Sequence, residues 1–205
     1  MIAIVDYGMG NLGSVKNMLR KVGAQAIITS DPEVIEKAEK IILPGVGSFD
    51  SGMRNLIDLG LVDVLVKRVK KDTIPILGIC LGVQLMTNDS AEGELKGLGW
   101  FDAATIKFDT QAVQERLLLP NIGWRDVKLV KPSKLFENMH EDPRFYFVHS
   151  YHLISNDPSN VLLNAYYGYD YVAAFEHENI LGVQFHPEKS HKYGMKLFEN
   201  FVKNY

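Results

Sequence analysis

Cys80 is the only cysteine of the chain and stands between two glycines, in Gly78-Ile-Cys-Leu-Gly82. Ile74-Pro-Ile-Leu77 leads into it and Val83-Gln-Leu-Met86 follows. A residue with glycine two places before and two places after, between a buried strand and a helix, describes a nucleophile elbow. Glycine has no Cβ, so the chain can turn sharply there and hold the central residue at a strained angle. The thiol would then stand at a helix start, where free N–H groups favour the thiolate form. Such a nucleophile needs a base, and one follows about a hundred residues on. His186 comes after an extended apolar stretch, Ile180 to Phe185, in Gly182-Val-Gln-Phe-His-Pro-Glu-Lys-Ser190. Pro187 ends the strand. Glu188 is close enough in sequence to orient the imidazole and to stabilise it when protonated. The expected triad is Cys80 as nucleophile, His186 as general base and then acid, and Glu188 as orienter.

The elements that must position these residues alternate. Ile2 to Val5 reads as a strand, and Asp6 to Gly13 as a glycine-rich turn. A helix from Ser14, as its cap, to about Lys21 stops at Gly23. Gln25 to Ile28 is a second strand. Asp31-Pro32-Glu33 opens a second helix. Lys40 to Leu43 is a strand running into Pro44-Gly-Val-Gly47, and a helical stretch from Phe49 to Lys71 breaks near Gly60. Ile74 to Ile79 is the elbow strand. This order predicts a parallel sheet covered on both faces. From Gly97 to Val130 the pattern changes to alternation, as in Ala104 to Phe108. Strands are expected at 145–148, 161–165, 171–175 and 180–185, and a closing helix at 195–202.

With 205 residues, 46% of them hydrophobic, the chain can bury one full core, and a single domain over 1–205 is expected. No apolar run approaches the roughly twenty residues that span a bilayer, and the first residues read as a core strand, not a leader. One cysteine suits a reducing cytoplasm. A net charge of -3 argues against a nucleic-acid partner. Lys67 to Lys71, the densest basic cluster, is expected to be a solvated helix end. The histidines lack metal-ligand spacing, so no metal is expected. Gly8-Met-Gly-Asn-Leu-Gly13 fits a dinucleotide-binding pattern, with Asp31 as the distant acid. That pattern would leave Cys80, His186 and Glu188 without a role.

Seven motifs in order carry a family resemblance: Asp6-Tyr-Gly-Met-Gly-Asn-Leu12, Leu43-Pro-Gly-Val-Gly-Ser-Phe49, Leu77 to Leu85, Gly97-Leu-Gly99, Pro120-Asn-Ile-Gly-Trp124, Tyr146-Phe-Val-His-Ser-Tyr151 and Gly182 to Ser190. Over essentially its whole length the chain resembles the class I (triad) glutamine amidotransferases. Within them it is similar to the glutaminase subunit of imidazole glycerol phosphate synthase. The resemblance implies a single-domain α/β fold of flavodoxin-like type, with a mostly parallel central sheet flanked by helices. It also implies hydrolysis of glutamine to glutamate and ammonia without a cofactor. Gln84, Glu92 and the main chain of Ser150 and Tyr151 would hold glutamine. The oxyanion would be met by Leu81 N–H and by the Val46-Gly47 peptide, which in the family must reorient. Ammonia would pass to a (β/α)8-barrel cyclase partner in a heterodimer, with Trp124 and Lys189 at the contact. That partner makes imidazole glycerol phosphate and an aminoimidazole carboxamide ribotide in histidine biosynthesis.

One motif departs from the family. Where the subunit carries Pro-His-Met-Gly-Trp-Asn, this chain has Pro120-Asn121-Ile122-Gly-Trp-Arg125. The triad is untouched, so the departure bears on the partner and on the ammonia acceptor. Two other readings follow: a paralogous subunit that supplies ammonia for a surface-sugar precursor, and a stand-alone cysteine hydrolase or γ-glutamyl peptidase on the same fold.

Overall fold

Ile2-Ala-Ile-Val5 is apolar at every position and buried at every position, as a strand covered on both faces must be. Alternate side chains face opposite ways. Ile2 and Ile4 pack with Val15, Leu19, Leu197 and Phe201 on one face, and Ala3 and Val5 pack with Phe49, Leu56 and Leu65 on the other. This strand belongs to a computed structural model that describes residues 1–111 and 117–205. Part of the alternating stretch expected between Gly97 and Val130 lies outside the described residues.

The elements run β1 (Ile2–Val5), α1 (Leu12–Lys21), β2 (Ala26–Thr29), α2 (Pro32–Glu36), β3 (Lys40–Gly45), α3 (Phe49–Asp58), α4 (Leu61–Val66), β4 (Ile76–Cys80) and α5 (Leu81–Leu85). They continue β5 (Asp89–Ser90), β6 (Ala103–Lys107), β7 (Asn121–Leu129), β8 (Arg144–His149), β9 (Tyr151–Ser155), β10 (Val161–Tyr167), β11 (Tyr169–His177), β12 (Ile180–Val183) and α6 (His191–Asn204). Among the described residues these strands form one twelve-stranded sheet whose main path is β2-β1-β3-β4-β12-β11-β10-β7-β8. Its first five strands pair in parallel. From β12 onward the pairing along this path is antiparallel. The sheet is therefore mixed: parallel in the half that carries Cys80, antiparallel in the half added after it.

The crossover that matters most brings β12 from the end of the chain to lie beside β4, with Gly182 opposite Gly78 and Val183 opposite Ile79. On the other side of β4 lies β3, with Gly45 opposite Cys80. The three strands are parallel neighbours, so their carboxyl ends open onto one place. In an α/β sheet that edge is where ligands bind.

The expected punctuation is mostly present. Asp31 caps α2, its Oδ1 accepting from Glu33 N–H at 2.9 Å. Gly23, at φ 82, stops α1, and Gly60, at φ 65, separates α3 from α4. Ser14 is not the cap of α1, which begins earlier at Leu12 with Asn11 before it. The basic cluster forms a π-helical turn, Lys67–Lys71. Its Arg68 is not solvated, because it bonds to the Ala38 carbonyl at 2.6 Å and to Asp72 at 2.7 Å. β9 was not expected as a strand, since its Tyr-His-Leu-Ile-Ser reads as polar. His152 is nevertheless buried there among Phe108, Tyr169 and Tyr171.

Candidate active site

Cys80 is the last residue of β4 and adopts φ 54, ψ -109. A non-glycine residue at positive φ is strained and needs its surroundings to hold it there. The close packing of the flanking glycines supplies that hold. A Cβ on Gly82 would stand 1.8 Å from the Leu43 carbonyl oxygen, and one on Gly78 2.8 Å from Met86. The β4–α5 turn is thus pressed against β3, and α5 begins at the next residue. The elbow read from the sequence is present.

His186 lies three residues beyond β12 and is buried. Its N–H is held by the Tyr146 carbonyl of β8 at 2.9 Å. Its own carbonyl accepts from Ser190 Oγ at 2.6 Å, and Ser190 Oγ in turn accepts from Tyr146 N–H at 3.0 Å. Phe185 stacks on Phe145 with ring centres 4.0 Å apart. The imidazole is thereby anchored to the antiparallel half of the sheet, while the thiol belongs to the parallel half. Nδ1 meets Glu188 Oε1 at 2.8 Å, with both side chains almost wholly buried. Nε2 is buried without a hydrogen-bond partner among the described residues. Burial pulls the His186 pKa down, but the neighbouring Cys80 and Glu188 outweigh it, and the ring is raised to about 10.

A cavity of about 220 Å³ opens on this site, with Val46, Gly47, Cys80, Leu81, Gln84, Glu92, Ser150 and Tyr151 in its wall. That is below the ~300–1,000 Å³ of drug-sized ligand sites and suits a ligand of amino-acid size. A larger depression of about 550 Å³, between Lys21 and Lys196, shares no residue with it. All seven residues expected to hold glutamine or the oxyanion therefore line one cavity with Cys80. Gly47 sits at φ 132. Met9 packs against it so closely that a Cβ there would lie 2.2 Å from the Met9 methyl. The turn with the dinucleotide-type pattern is thus engaged with this segment: Gly10 also approaches Gly45 and Pro44.

Gln84 is buried, and its amide nitrogen is already committed, to Gln184 Oε1 at 3.0 Å and to the Tyr151 carbonyl at 3.3 Å. Its oxygen is the atom left for a ligand. Glu92 Oε2 accepts from Phe49 N–H at 2.9 Å and so closes the start of α3, where Ser48 makes no side-chain cap. Trp124 is 36% exposed and stacks on His191 with ring centres 5.5 Å apart. Lys189 is exposed and lies 5.8 Å from the Tyr146 ring, which Trp124 meets edge-on. The two residues expected at a partner contact share one face.

Four residues escaped sequence reasoning. Gln184 donates to Cys80 Sγ at 3.8 Å. Ser190 fixes the His186 backbone. Tyr7, fully buried with a hydroxyl that is unpaired among the described residues, would clash with any Cβ on Gly45. Its hydroxyl pKa is raised by burial and then by Cys80. His149 Nδ1 meets the Tyr151 carbonyl at 2.7 Å. Gln184 and Ser190 flank His186 inside a motif already recognised, which is the one signal that could have found them.

A cysteine at a strained strand–helix turn, facing a His–Glu pair, defines a class of enzyme, and the match to known sequences agrees. The family model of class-I glutamine amidotransferases matches residues 3–205, and the chain belongs to that family. More particularly, it is 57% identical over 203 residues to imidazole glycerol phosphate synthase subunit HisH 2 of Methanococcus maripaludis, covering 99% of each chain. It is 46% identical to the subunit HisH 2 of Pseudomonas aeruginosa, again over 99% of each. Against the subunit HisH of Sulfurimonas denitrificans it is 45% identical, over 99% of this chain and 98% of that one. Among solved structures, a glutamine amidotransferase superposes with a TM-score of 0.71 at 20% identity, covering 97% and 99% of the two chains. A putative GMP synthase protein from Thermoplasma acidophilum superposes with a TM-score of 0.70 at 22% identity, covering 98% and 91%. These last two speak for the fold.

Proposed function

We propose that this chain hydrolyses glutamine at Cys80 and delivers the ammonia to a (β/α)8-barrel cyclase subunit, as the glutaminase half of imidazole glycerol phosphate synthase in histidine biosynthesis. The observation that carries this reading is Cys80 at φ 54 at the mouth of the same cavity as Val46-Gly47, acting on a buried His186 that Glu188 holds at 2.8 Å.

In the first half-reaction the sulfur attacks the carboxamide carbon and a C–S bond forms. The oxyanion is met by Leu81 N–H and the Val46-Gly47 peptide. The C–N bond then breaks, and His186 gives its proton to the departing nitrogen, which leaves as ammonia. In the second, His186 takes a proton from water, the hydroxide adds to the thioester, the C–S bond breaks and glutamate leaves. Glu188 keeps the proton of Nδ1 in place and stabilises the imidazolium. The free oxygen of Gln84, together with Glu92, supports recognition of the substrate's amino group, and Ser150 and Tyr151 provide main-chain groups.

Val46 is exposed in the cavity wall, and Ile122 and Trp124 are exposed on β7, where Ile122 pairs with Val148 of that wall; with Lys189 they support docking of the barrel on this side. The Val46-Gly47 peptide makes the activity conditional on that docking. One oxyanion donor is worth roughly 3–4 kcal/mol, or about a hundred- to a thousandfold in rate. A misplaced peptide keeps the site silent until the partner and its ligand shift the population. The test is glutamate release by the chain alone, with the barrel cyclase, and with the barrel cyclase plus its own ligand. The expected result is a stepwise rise to the last. Full activity in the isolated chain, unmoved by either addition, favours the stand-alone hydrolase instead. Asn121 and Arg125, beside Trp124 on β7, keep the surface-sugar acceptor as a second reading, to be tested by which barrel protein copurifies.

A further inference from the structure

We infer that Arg125, Asn121 and His149 form a positioning relay that sets the Tyr151 main chain in the substrate cavity and ties it to the face carrying Trp124. The inference rests on the glutaminase reading above.

Two of the three positions at which this chain departs from the family motif, 121 and 125, are bonded to each other. Arg125 Nε donates to Asn121 Oδ1 at 3.0 Å. Asn121 is fully buried, and its amide lies 3.2 Å from His149 Nε2 and donates at 3.2 Å to the Tyr171 hydroxyl. His149 Nδ1 lies 2.7 Å from the Tyr151 carbonyl. The direction of donation is forced from the outer end inward. A guanidinium only donates, so Asn121 must accept with its oxygen and offer its nitrogen. His149 Nε2 must then accept, which leaves the ring proton on Nδ1 for Tyr151. Burial lowers the His149 pKa to about 3, so the ring is neutral and carries that one proton.

The inner end reaches the chemistry. The Tyr151 carbonyl also accepts from Gln84, Gln84 bonds to Gln184, and Gln184 bonds to Cys80. The outer end reaches the surface. The Arg125 guanidinium lies over the Tyr167 ring at 4.8 Å and donates to the Trp124 carbonyl at 3.3 Å. A change in the Trp124 backbone thus has a continuous path of oriented hydrogen bonds to the substrate-binding segment. The same geometry explains the paired departure. Asparagine at 121 can present either end of its amide, and Arg125 selects the one that fits His149. Either substitution alone leaves a buried donor or acceptor unmatched.

The test is glutamate release at varied glutamine, using the full chain bound to its barrel partner, for Arg125→Leu, Arg125→Asn, Asn121→His and the double variant Asn121→His with Arg125→Asn. Thermal melting checks that each variant folds. Arg125→Leu is expected to raise KM about tenfold with kcat within about twofold, because the relay positions substrate and does not touch reacting atoms. The double variant is expected to return to within about threefold of wild type, a non-additive result. Asn121→His that folds only in the double variant shows the same coupling in stability. A wild-type KM in Arg125→Leu, or losses that simply add in the double variant, overturns the relay. A wild-type complex that releases no glutamate overturns the glutaminase reading, a separate outcome.

Discussion

The imidazole of His186 is the group on which the proposed chemistry turns, and its environment makes testable demands. Folding raises its pKa from an ordinary value of about 6.5 to about 10. The stabilisation from charging it in the folded state is therefore complete below about pH 6.5 and disappears as pH rises through about 10. Urea denaturation of the wild type should show this loss over that window, and Glu188→Gln should reduce it by removing one of the raising charges. An identical pH profile in the two proteins contradicts the pairing. In activity, His186→Ala should be nearly as damaging as Cys80→Ala, and Glu188→Ala roughly ten- to a hundredfold milder, since triad losses are not additive. The proposed triad residues stand out in the sequence by local signals: glycines flank Cys80, and Pro187 separates His186 from Glu188. Gln184 and His149 do not, and Asn121 shows only as a departure from a motif, because each acts on a residue that only the sheet brings near. Gln184 reaches Cys80 across 104 positions, and Asn121 reaches His149 across 28.

At the scale of elements, the glycines separate into those that the turn requires and those it tolerates. Gly82→Ala forces a methyl onto the Leu43 carbonyl, a backbone atom that cannot swing aside. It should destabilise by about 1–3 kcal/mol and remove activity by shifting Cys80. Gly13 lies inside α1 with nothing within 4 Å of a Cβ. Gly13→Ala should stabilise by about 0.4–1 kcal/mol and leave glutamine hydrolysis unchanged. Denaturant midpoints read both, and a Gly82→Ala protein as stable and active as wild type contradicts the packed elbow. The sequence marked these two glycines alike, as parts of motifs. What distinguishes them is the distance to a neighbouring strand, which spacing does not encode. The parallel strands were legible from apolar runs closed by glycine or proline. The antiparallel half was harder, because β7 and β9 mix buried polar residues with exposed ones.

For the whole molecule, the site exists because one crossover places β12 against β4. Cys80, the proposed nucleophile, ends β4, while His186, the proposed base, follows the neighbouring β12 and is also held by Tyr146 of β8, so loosening of β8 from that edge would displace His186. The face carrying Trp124 and Lys189 is where the barrel partner is proposed to sit, and Trp124 is its largest exposed side chain. Trp124→Ala should weaken that association by about 2 kcal/mol or more, measured well below the melting temperature of the variant, because Trp124 also stacks on His191 within the chain. Equal affinity, measured by titration calorimetry, removes Trp124 from the interface. The central claim is covalent chemistry at Cys80. The most direct measurement is mass spectrometry of the acid-quenched complex during turnover of glutamine. The account predicts one glutamyl group on the peptide carrying Cys80, absent in Cys80→Ser and absent without glutamine. Glutamate release at full rate with no adduct on Cys80, or with the same rate in Cys80→Ser, would contradict it.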